Sequence, residues 1–143
     1  MTIEGLVTYQ GASDVATTVD RLLHVLRDRG IPLLAQIDHA AGAEAAGLAM
    51  RPAQVLIFGN AAAGTPLMVR CPTIAIDLPL RMLVREDERG ATAISYNDPR
   101  WLAARHGLTG EEAILEKLAG LLAALAQACA SAAGPGAAPP EKE

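Results

Sequence analysis

Residues 38–48 read Asp38-His39-Ala40-Ala41-Gly42-Ala43-Glu44-Ala45-Ala46-Gly47-Leu48, and Arg51-Pro52 leads from them into Gln54-Val55-Leu56-Ile57-Phe58-Gly59-Asn60. Polar or turn-forming residues stand at nearly every boundary of this stretch. The alanine-rich part predicts a short helix that ends at Gly47. The apolar run that follows Pro52 is typical of a short buried strand.

The stretch continues with Gly64-Thr65-Pro66 and Asp77-Leu78-Pro79-Leu80. A hydroxyl residue followed by proline is the usual order of an N-cap and a first helical residue, so the sequence predicts a helix that starts at Thr65. Pro72 limits that helix to two turns. Residues 73–78 are interpreted as partly extended.

On the N-terminal side, the β-branched and aromatic residues of Ile3–Gln10 predict a first strand, and Ile31–Ile37 predicts a second. Between them, the apolar residues of Asp14–Arg29 recur with helical spacing, and Gly30 provides a C-terminal stop. The sequence therefore predicts a strand, a long helix and a strand before the deciding stretch.

On the C-terminal side, Leu80–Glu86 and Thr92–Tyr96 predict a hairpin, and Asp98-Pro99 predicts the start of a short helix. Thr109 and Glu112 have the spacing of a capping box for the last helix. The apolar stripe of that helix is too broad for a solvated face, so we expect the helix to pack on the sheet.

This order predicts an α+β fold, an antiparallel sheet with two long helices packed on one face. With 143 residues in the chain, we expect a single domain over residues 1–130. Residues 131–143 contain proline, glycine and small side chains without a large apolar residue, and they are interpreted as a disordered tail.

The segment from Ile37 to Pro99, with its Asp77-Leu78-Pro79 and Tyr96-Asn97-Asp98-Pro99 motifs, resembles the DUF302 family of unknown function. The resemblance implies a β-α-β4-α core of the TATA-binding-protein-like class, and it implies a homodimer. It carries over no catalytic residue. It implies no DNA binding either, since function belongs to sites and not to folds.

The composition narrows the choice of partners and of compartment. A net charge of -4, a pI near 5.3 and four aromatic residues provide neither a basic footprint nor a stacking platform, so we expect no nucleic-acid partner. No secretion signal or membrane span is recognised. Only Cys71 and Cys129 are present, without metal-binding spacing, so we expect a cytoplasmic protein with no cofactor and no metal.

Asp38 and His39 are the first candidate functional residues, because an adjacent carboxylate and imidazole suit acid–base chemistry. Neighbours on a strand point to opposite faces, so Asp38 is interpreted more simply as the N-cap of the helix that follows. His39 points either to the open sheet face, where it could contact a ligand or a partner, or into the core.

Gly59-Asn60 and Gly64-Thr65 form the second candidate, a strand end followed by a helix start. Free backbone N–H groups and the helix dipole favour anions at such a position, with Arg51 as a candidate clamp. The competing interpretation is a tight connection in which the glycines and Asn60 only shape a turn. Arg51 would then pair with a carboxylate of the fold.

Asp77 is the third candidate, because it follows an apolar run. It either caps a turn, pairs with Arg51 or Arg81, or faces a pocket. A metal site made of Asp38, His39, Cys71 and Asp77 is not expected, since these residues lack a fixed ligand spacing.

Three functions remain open from the sequence. The first is a non-catalytic, homodimeric module that binds a small anion or a partner at the open sheet face and the loop from Gly59 to Pro66. The second is an enzyme in which His39 acts as acid or base with Asp38 or Asp77. The third is a purely structural motif at a dimer interface, in which case His39→Ala and Asp77→Ala lower stability or dimerisation.

Overall fold

The computed structural model describes residues 2–131, and within them the chain forms one sheet of five antiparallel strands. The strands are β1 (Leu6–Gly11), β2 (Leu33–Asp38), β3 (Ala53–Phe58), β4 (Leu80–Glu86) and β5 (Thr92–Asn97). Their order in the sheet is β1-β5-β4-β3-β2. The predicted antiparallel α+β architecture is confirmed. The predicted tail from residue 132 onward lies outside the described residues.

Two long helices pack on one face of the sheet, as predicted, and they also pack on each other. The helices are α1 (Val15–Asp28), α2 (His39–Ala45), α3 (Ala61–Arg70), α4 (Pro99–His106) and α5 (Glu112–Ala130). A 3₁₀ segment, Pro72–Asp77, replaces the extended conformation that was predicted after Pro72. That segment lies against α3 and α4.

The predicted start of α3 at Thr65 is wrong. The side chain of Asn60 accepts a hydrogen bond from the N–H of Ala63 at 3.0 Å, so the helix is capped five residues earlier and begins at Ala61. Pro66 consequently lies inside the helix. In the sequence analysis Asn60 was interpreted as a turn residue. It acts instead as the N-cap in preference to Thr65-Pro66, because the alanines that follow it are strong helix formers.

The predicted capping box of α5 is also wrong. Glu112 is the first residue of the helix, and its carboxylate accepts a hydrogen bond from the N–H of Gly110 at 3.1 Å. No side chain caps the helix at Glu111. The helix is held instead by its apolar stripe, since Leu115, Leu118, Leu122 and Leu125 are all buried.

The core lies between the sheet and helices α1 and α5. It is mostly aliphatic, and its sheet side comes from alternate residues of the central strands, two of them aromatic: Leu56, Phe58, Leu80, Met82, Val84, Ile94 and Tyr96. On α1 the same role belongs to Val15, Val19, Leu22 and Leu26. The alternation along the strands follows from the period of two in a pleated chain.

The opposite face of the sheet has a different set of side chains. The register aligns Ile37, Val55, Leu83, Ser95 and Thr8 in one row across all five strands. None of these residues belongs to the core cluster. We call this surface the open face; Val55 of β3 and Leu83 of β4 lie at its centre, and Ile37 lies at its β2 edge.

Within residues 2–131, one helix is long and apolar enough to cross a membrane, namely α5. Its buried leucines contact the same core as α1 and the sheet. The buried side of α5 is therefore part of the hydrophobic core.

Candidate functional site

A cavity of about 360 Å³ opens beside the N-terminus of α3. Its walls come from five places in the chain: the start of β2, the turn between β3 and α3, one side of α3, the segment that leads into β4, and one face of α5. The lining residues are Ile31, Leu34, Gly59, Asn60, Ala61, Ala63, Gly64, Met68, Leu78, Pro79, Leu80, Leu118 and Leu121. A volume of this size lies in the range of small-molecule sites.

The turn that leads into the cavity is set by Gly59 and Asn60. Gly59 has a φ of +138°, which a side chain rarely allows, and its N–H donates to the carbonyl oxygen of Pro32 at 3.2 Å. Asn60 then caps α3. The two residues therefore join β2, β3 and α3 at one point, and the cavity forms where the chain turns away from the sheet.

Three of the five residues expected to bind a ligand line the cavity: Gly59, Asn60 and Gly64. Thr65 is exposed on the second turn of α3 and is not part of the lining. Arg51 is elsewhere, since its guanidinium donates to the Glu86 carboxylate at 2.8 Å and to the carbonyl oxygen of Glu88 at 3.3 Å. Arg51 thus links the segment before β3 to the end of β4, in agreement with the interpretation in which it pairs with a carboxylate of the fold.

The chemistry of the cavity walls is predominantly apolar. Among the lining residues that the structure describes, only Asn60 has a hydrogen-bonded side chain, and its amide oxygen accepts from the N–H of Ala63. The walls contain no carboxylate, imidazole or ammonium group among the described residues. The cavity is therefore suited to holding the apolar body of a ligand, and its lining supplies no acid or base.

The structure does not bring Asp38 and His39 together as an acid–base pair. Asp38 accepts a hydrogen bond from the N–H of Ala41 at 2.9 Å and so caps α2, as the simpler interpretation held. His39 is the first residue of α2 and is exposed, and within residues 2–131 it has neither an ion pair nor a hydrogen-bonded side chain. It lies outside the cavity lining.

Asp77 pairs with partners that differ from those expected. Its Oδ2 accepts from Arg105 Nη1 at 2.7 Å and lies 2.6 Å from Nε2 of His106, and neither Arg51 nor Arg81 contacts it. Burial raises the pKa of Asp77, but the hydrogen bonds and charges of His106 and Arg105 outweigh burial and hold that pKa below its usual value.

His106 is the residue that sequence reasoning missed. It is separated from Asp77 by 29 positions, and no spacing rule connects an aspartate at the end of a 3₁₀ segment with a histidine in the last turn of another helix. A signal was present, because Gly107 stops α4 with a left-handed φ of +73° and so places Arg105 and His106 in its last turn.

The two cysteines are free thiols that do not form a disulfide with each other. The Cys71 thiol donates to the carbonyl oxygen of His106 at 3.3 Å, and Cys129 is fully buried in α5. Burial raises the pKa of the Cys129 thiol to about 11, so it stays protonated. No group of three metal-ligating side chains occurs within residues 2–131.

A family model described as "Domain of unknown function DUF302" matches residues 7–125. A solved structure, the "uncharacterized conserved protein DUF302" from Bacillus stearothermophilus, superposes with a TM-score of 0.79 over 89% of this chain and 99% of that chain. The two sequences are 20% identical, so this likeness concerns the fold.

Two curated relatives have the names "Fluoride-specific ion channel FluC 1" in Brucella suis biovar 1 and in Brucella abortus biovar 1. Each is 42% identical to this chain over 118 residues, which is 81% of the chain. The matched segment is 46% of the first relative and 44% of the second, so the chain spans less than half the length of these proteins.

Proposed function

Since this chain belongs to the DUF302 family, whose description assigns no function, we propose from its own geometry that it is a homodimeric module for a small ligand. The ligand would have an apolar body with one polar or anionic end. The observation that carries this proposal is the cavity beside α3, in which the predicted loop residues Gly59, Asn60 and Gly64 meet apolar walls.

The apolar walls favour burial of hydrocarbon or aromatic surface. Each buried CH₂ group contributes about 0.8 kcal/mol, so a chain of six to eight carbons is enough for measurable binding even after the entropy cost of association. Met68 adds adaptability, because its unbranched thioether can follow the shape of a bound group. The size of the cavity and its walls thus point to a ligand body of this class.

The polar end of the ligand would lie at the start of α3. Ala61 and Ala62 stand in the first turn, where backbone N–H groups lack a partner within the helix, whereas the N–H of Ala63 is taken by Asn60. Ala61 lines the cavity. A carboxylate placed there would accept hydrogen bonds at the positive end of the helix dipole.

Two probes with the same hydrocarbon tail distinguish binding of the apolar body from binding of the anionic end. Octanoate and octanol would be titrated into the ¹⁵N-labelled protein, with the backbone amide signals followed by NMR. We expect both probes to shift Gly59 and Gly64, and octanoate to bind about 2- to 5-fold more tightly, which matches 0.3 to 1 kcal/mol from the helix dipole. Unshifted loop signals with both probes would rule out the cavity as a site.

The open face is the surface on which we propose that two copies pair. Val55, Ile57 and Leu83 lie at its centre and are half-buried in the single chain, and Ile37 at the edge is 43% exposed. Neither long helix covers them, since both pack on the opposite face. Apolar side chains that are clustered on a face without a covering helix are typical of interfaces, and Arg81 and Arg85 flank Leu83 on the same side of β4.

The dimer is tested by sedimentation equilibrium on the wild type and on Leu83→Glu. We expect a dimer for the wild type and a folded monomer for the variant, because a buried unpaired carboxylate opposes pairing. Val69→Glu is the matched control, since Val69 is an exposed apolar residue of α3 and is 76% exposed. A monomeric wild type, or a Leu83→Glu variant that stays dimeric, would rule out pairing through this face.

The 42% identity to proteins named as fluoride channels favours a second role. In those relatives the matched segment would be an accessory module joined to the channel, and this chain would serve a fluoride channel in the same way from the cytoplasm. Co-purification of the chain with a fluoride channel of its own cell tests this role. Absence of a complex, together with unchanged fluoride tolerance on loss of the chain, would contradict it.

A further inference from the structure

A chain of hydrogen bonds links three side chains away from the cavity lining. Oγ1 of Thr73 lies 2.9 Å from Nδ1 of His106, and Nε2 of the same imidazole lies 2.6 Å from Oδ2 of Asp77. We call these three residues the hydroxyl cluster. Two of its members come from the 3₁₀ segment and the third comes from α4.

The direction of the hydrogen bonds follows from the ionised carboxylate. Arg105 donates to Asp77 at 2.7 Å, and Asp77 has a lowered pKa, so its oxygens act only as acceptors. In the neutral imidazole, Nε2 must then carry the hydrogen, and Nδ1 is left as an acceptor. The Thr73 hydroxyl therefore donates its proton toward Nδ1, which is the arrangement of a hydroxyl beside its base.

Solvent exposure differs among the three residues of the hydroxyl cluster. The side chain of His106 is 9% exposed and that of Asp77 is 18% exposed, whereas Thr73 is exposed to solvent. The main chain of His106 is fixed by the Cys71 thiol, which donates to its carbonyl oxygen. The hydroxyl of Thr73 is therefore accessible to a reagent from solvent, while the imidazole of His106 beside it is fixed in position.

We propose that Thr73 is a nucleophilic hydroxyl that accepts an acyl group from an activated ester, with His106 as its base and Asp77 as the residue that positions the imidazole. Oγ1 attacks the carbonyl carbon and forms the new ester bond. The bond to the leaving oxygen breaks, and the leaving group departs as an alkoxide or phenolate. The hydroxyl proton moves to Nδ1 of His106 and from there to the leaving group or to water.

The test uses p-nitrophenyl acetate with the full chain, followed by tryptic digestion and tandem mass spectrometry of the peptide 71–81. The fragments separate an acetyl group on Thr73 from one on Cys71. Thr109 is an exposed threonine for which the structure shows no hydrogen-bonded base, and it serves as the internal reference. We expect Thr73 to be acetylated at least about 100-fold faster than Thr109, the lower end of general-base assistance.

Two substitutions at the same position separate reactivity from structure. Thr73→Val removes the hydroxyl at nearly constant volume and should abolish acetylation at this position, while Thr73→Ser keeps the hydroxyl and should retain it. His106→Asn should lower the rate at Thr73 about 100-fold. Equal rates at Thr73 and Thr109, or a rate unchanged in His106→Asn, would show that the hydroxyl cluster only ties the 3₁₀ segment to α4.

Discussion

Asp77 shows how one side chain joins two elements. It holds the end of the 3₁₀ segment to Arg105 and His106 of α4. We expect Asp77→Asn to lower the free energy of unfolding by about 1.5–3 kcal/mol at pH 7, the range for hydrogen bonds that involve a charge. Urea unfolding measures the change, and Asp20→Asn on the exposed face of α1 is the control, with an expected effect within about 0.5 kcal/mol.

The same residue predicts a pH dependence. Because the pKa of Asp77 is lower in the folded chain than in the unfolded chain, its stabilisation is fully present above the unfolded pKa, about 3.9. It is lost as the pH falls through the lower, folded pKa. The stability difference between wild type and Asp77→Asn should therefore shrink from pH 7 to pH 3, and a difference that stays constant would contradict this origin.

Gly5 is a second residue at which the fold allows little change. Its φ is +79°, and a Cβ at this position would contact the indole ring of Trp101. Gly30 has a similar φ of +68°, but nothing lies within 4 Å of its Cβ position. Gly5→Ala should therefore be more destabilising than Gly30→Ala, which has only the cost of a left-handed residue, roughly 1–2 kcal/mol. Equal losses in thermal unfolding would exclude the contact with Trp101.

At the scale of elements, α3 depends on its cap. Asn60→Ala removes the acceptor for the N–H of Ala63 and should cost about 1 kcal/mol, while Asn60→Asp retains it. Asp38→Ala, which removes the cap of α2, is the comparison. Because α2 has no buried residue, this substitution should leave the free energy of global unfolding nearly unchanged. Hydrogen exchange of the first turn of each helix separates the two effects.

The elements were predictable where one local signal dominates. Period-two and helical spacing placed the central strands and α1, because burial against one core imposes both patterns. The start of α3 was missed where two cap signals compete, at Asn60 and at Thr65-Pro66. The pairing of Asp77 with His106 could not be predicted. The contact between the 3₁₀ segment and α4 is set by packing, and it leaves no regular spacing in the sequence.

For the whole molecule, the sheet separates two surfaces with different roles in the proposal. The helix-covered face builds the core and, at one end, the cavity, whereas no long helix within residues 2–131 covers the apolar side chains of the open face. The sequence predicted that Gly59, Asn60 and Gly64 form an anion-binding loop, and the structure places these three residues in the lining of an apolar cavity. The apolar walls come from Leu34, Leu118 and Leu121, which only the fold brings to that loop.

A pair of tryptophan substitutions tests most directly whether the cavity beside α3 binds the apolar body of a ligand. Ala61 lines the cavity, whereas Ala62, the next residue on the same exposed turn, does not. Calorimetric titration with octanoate should give at least about 10-fold weaker binding to Ala61→Trp than to the wild type, since an indole ring would occupy the cavity. Ala62→Trp should bind as the wild type does. Equal affinities in the two variants would contradict the account.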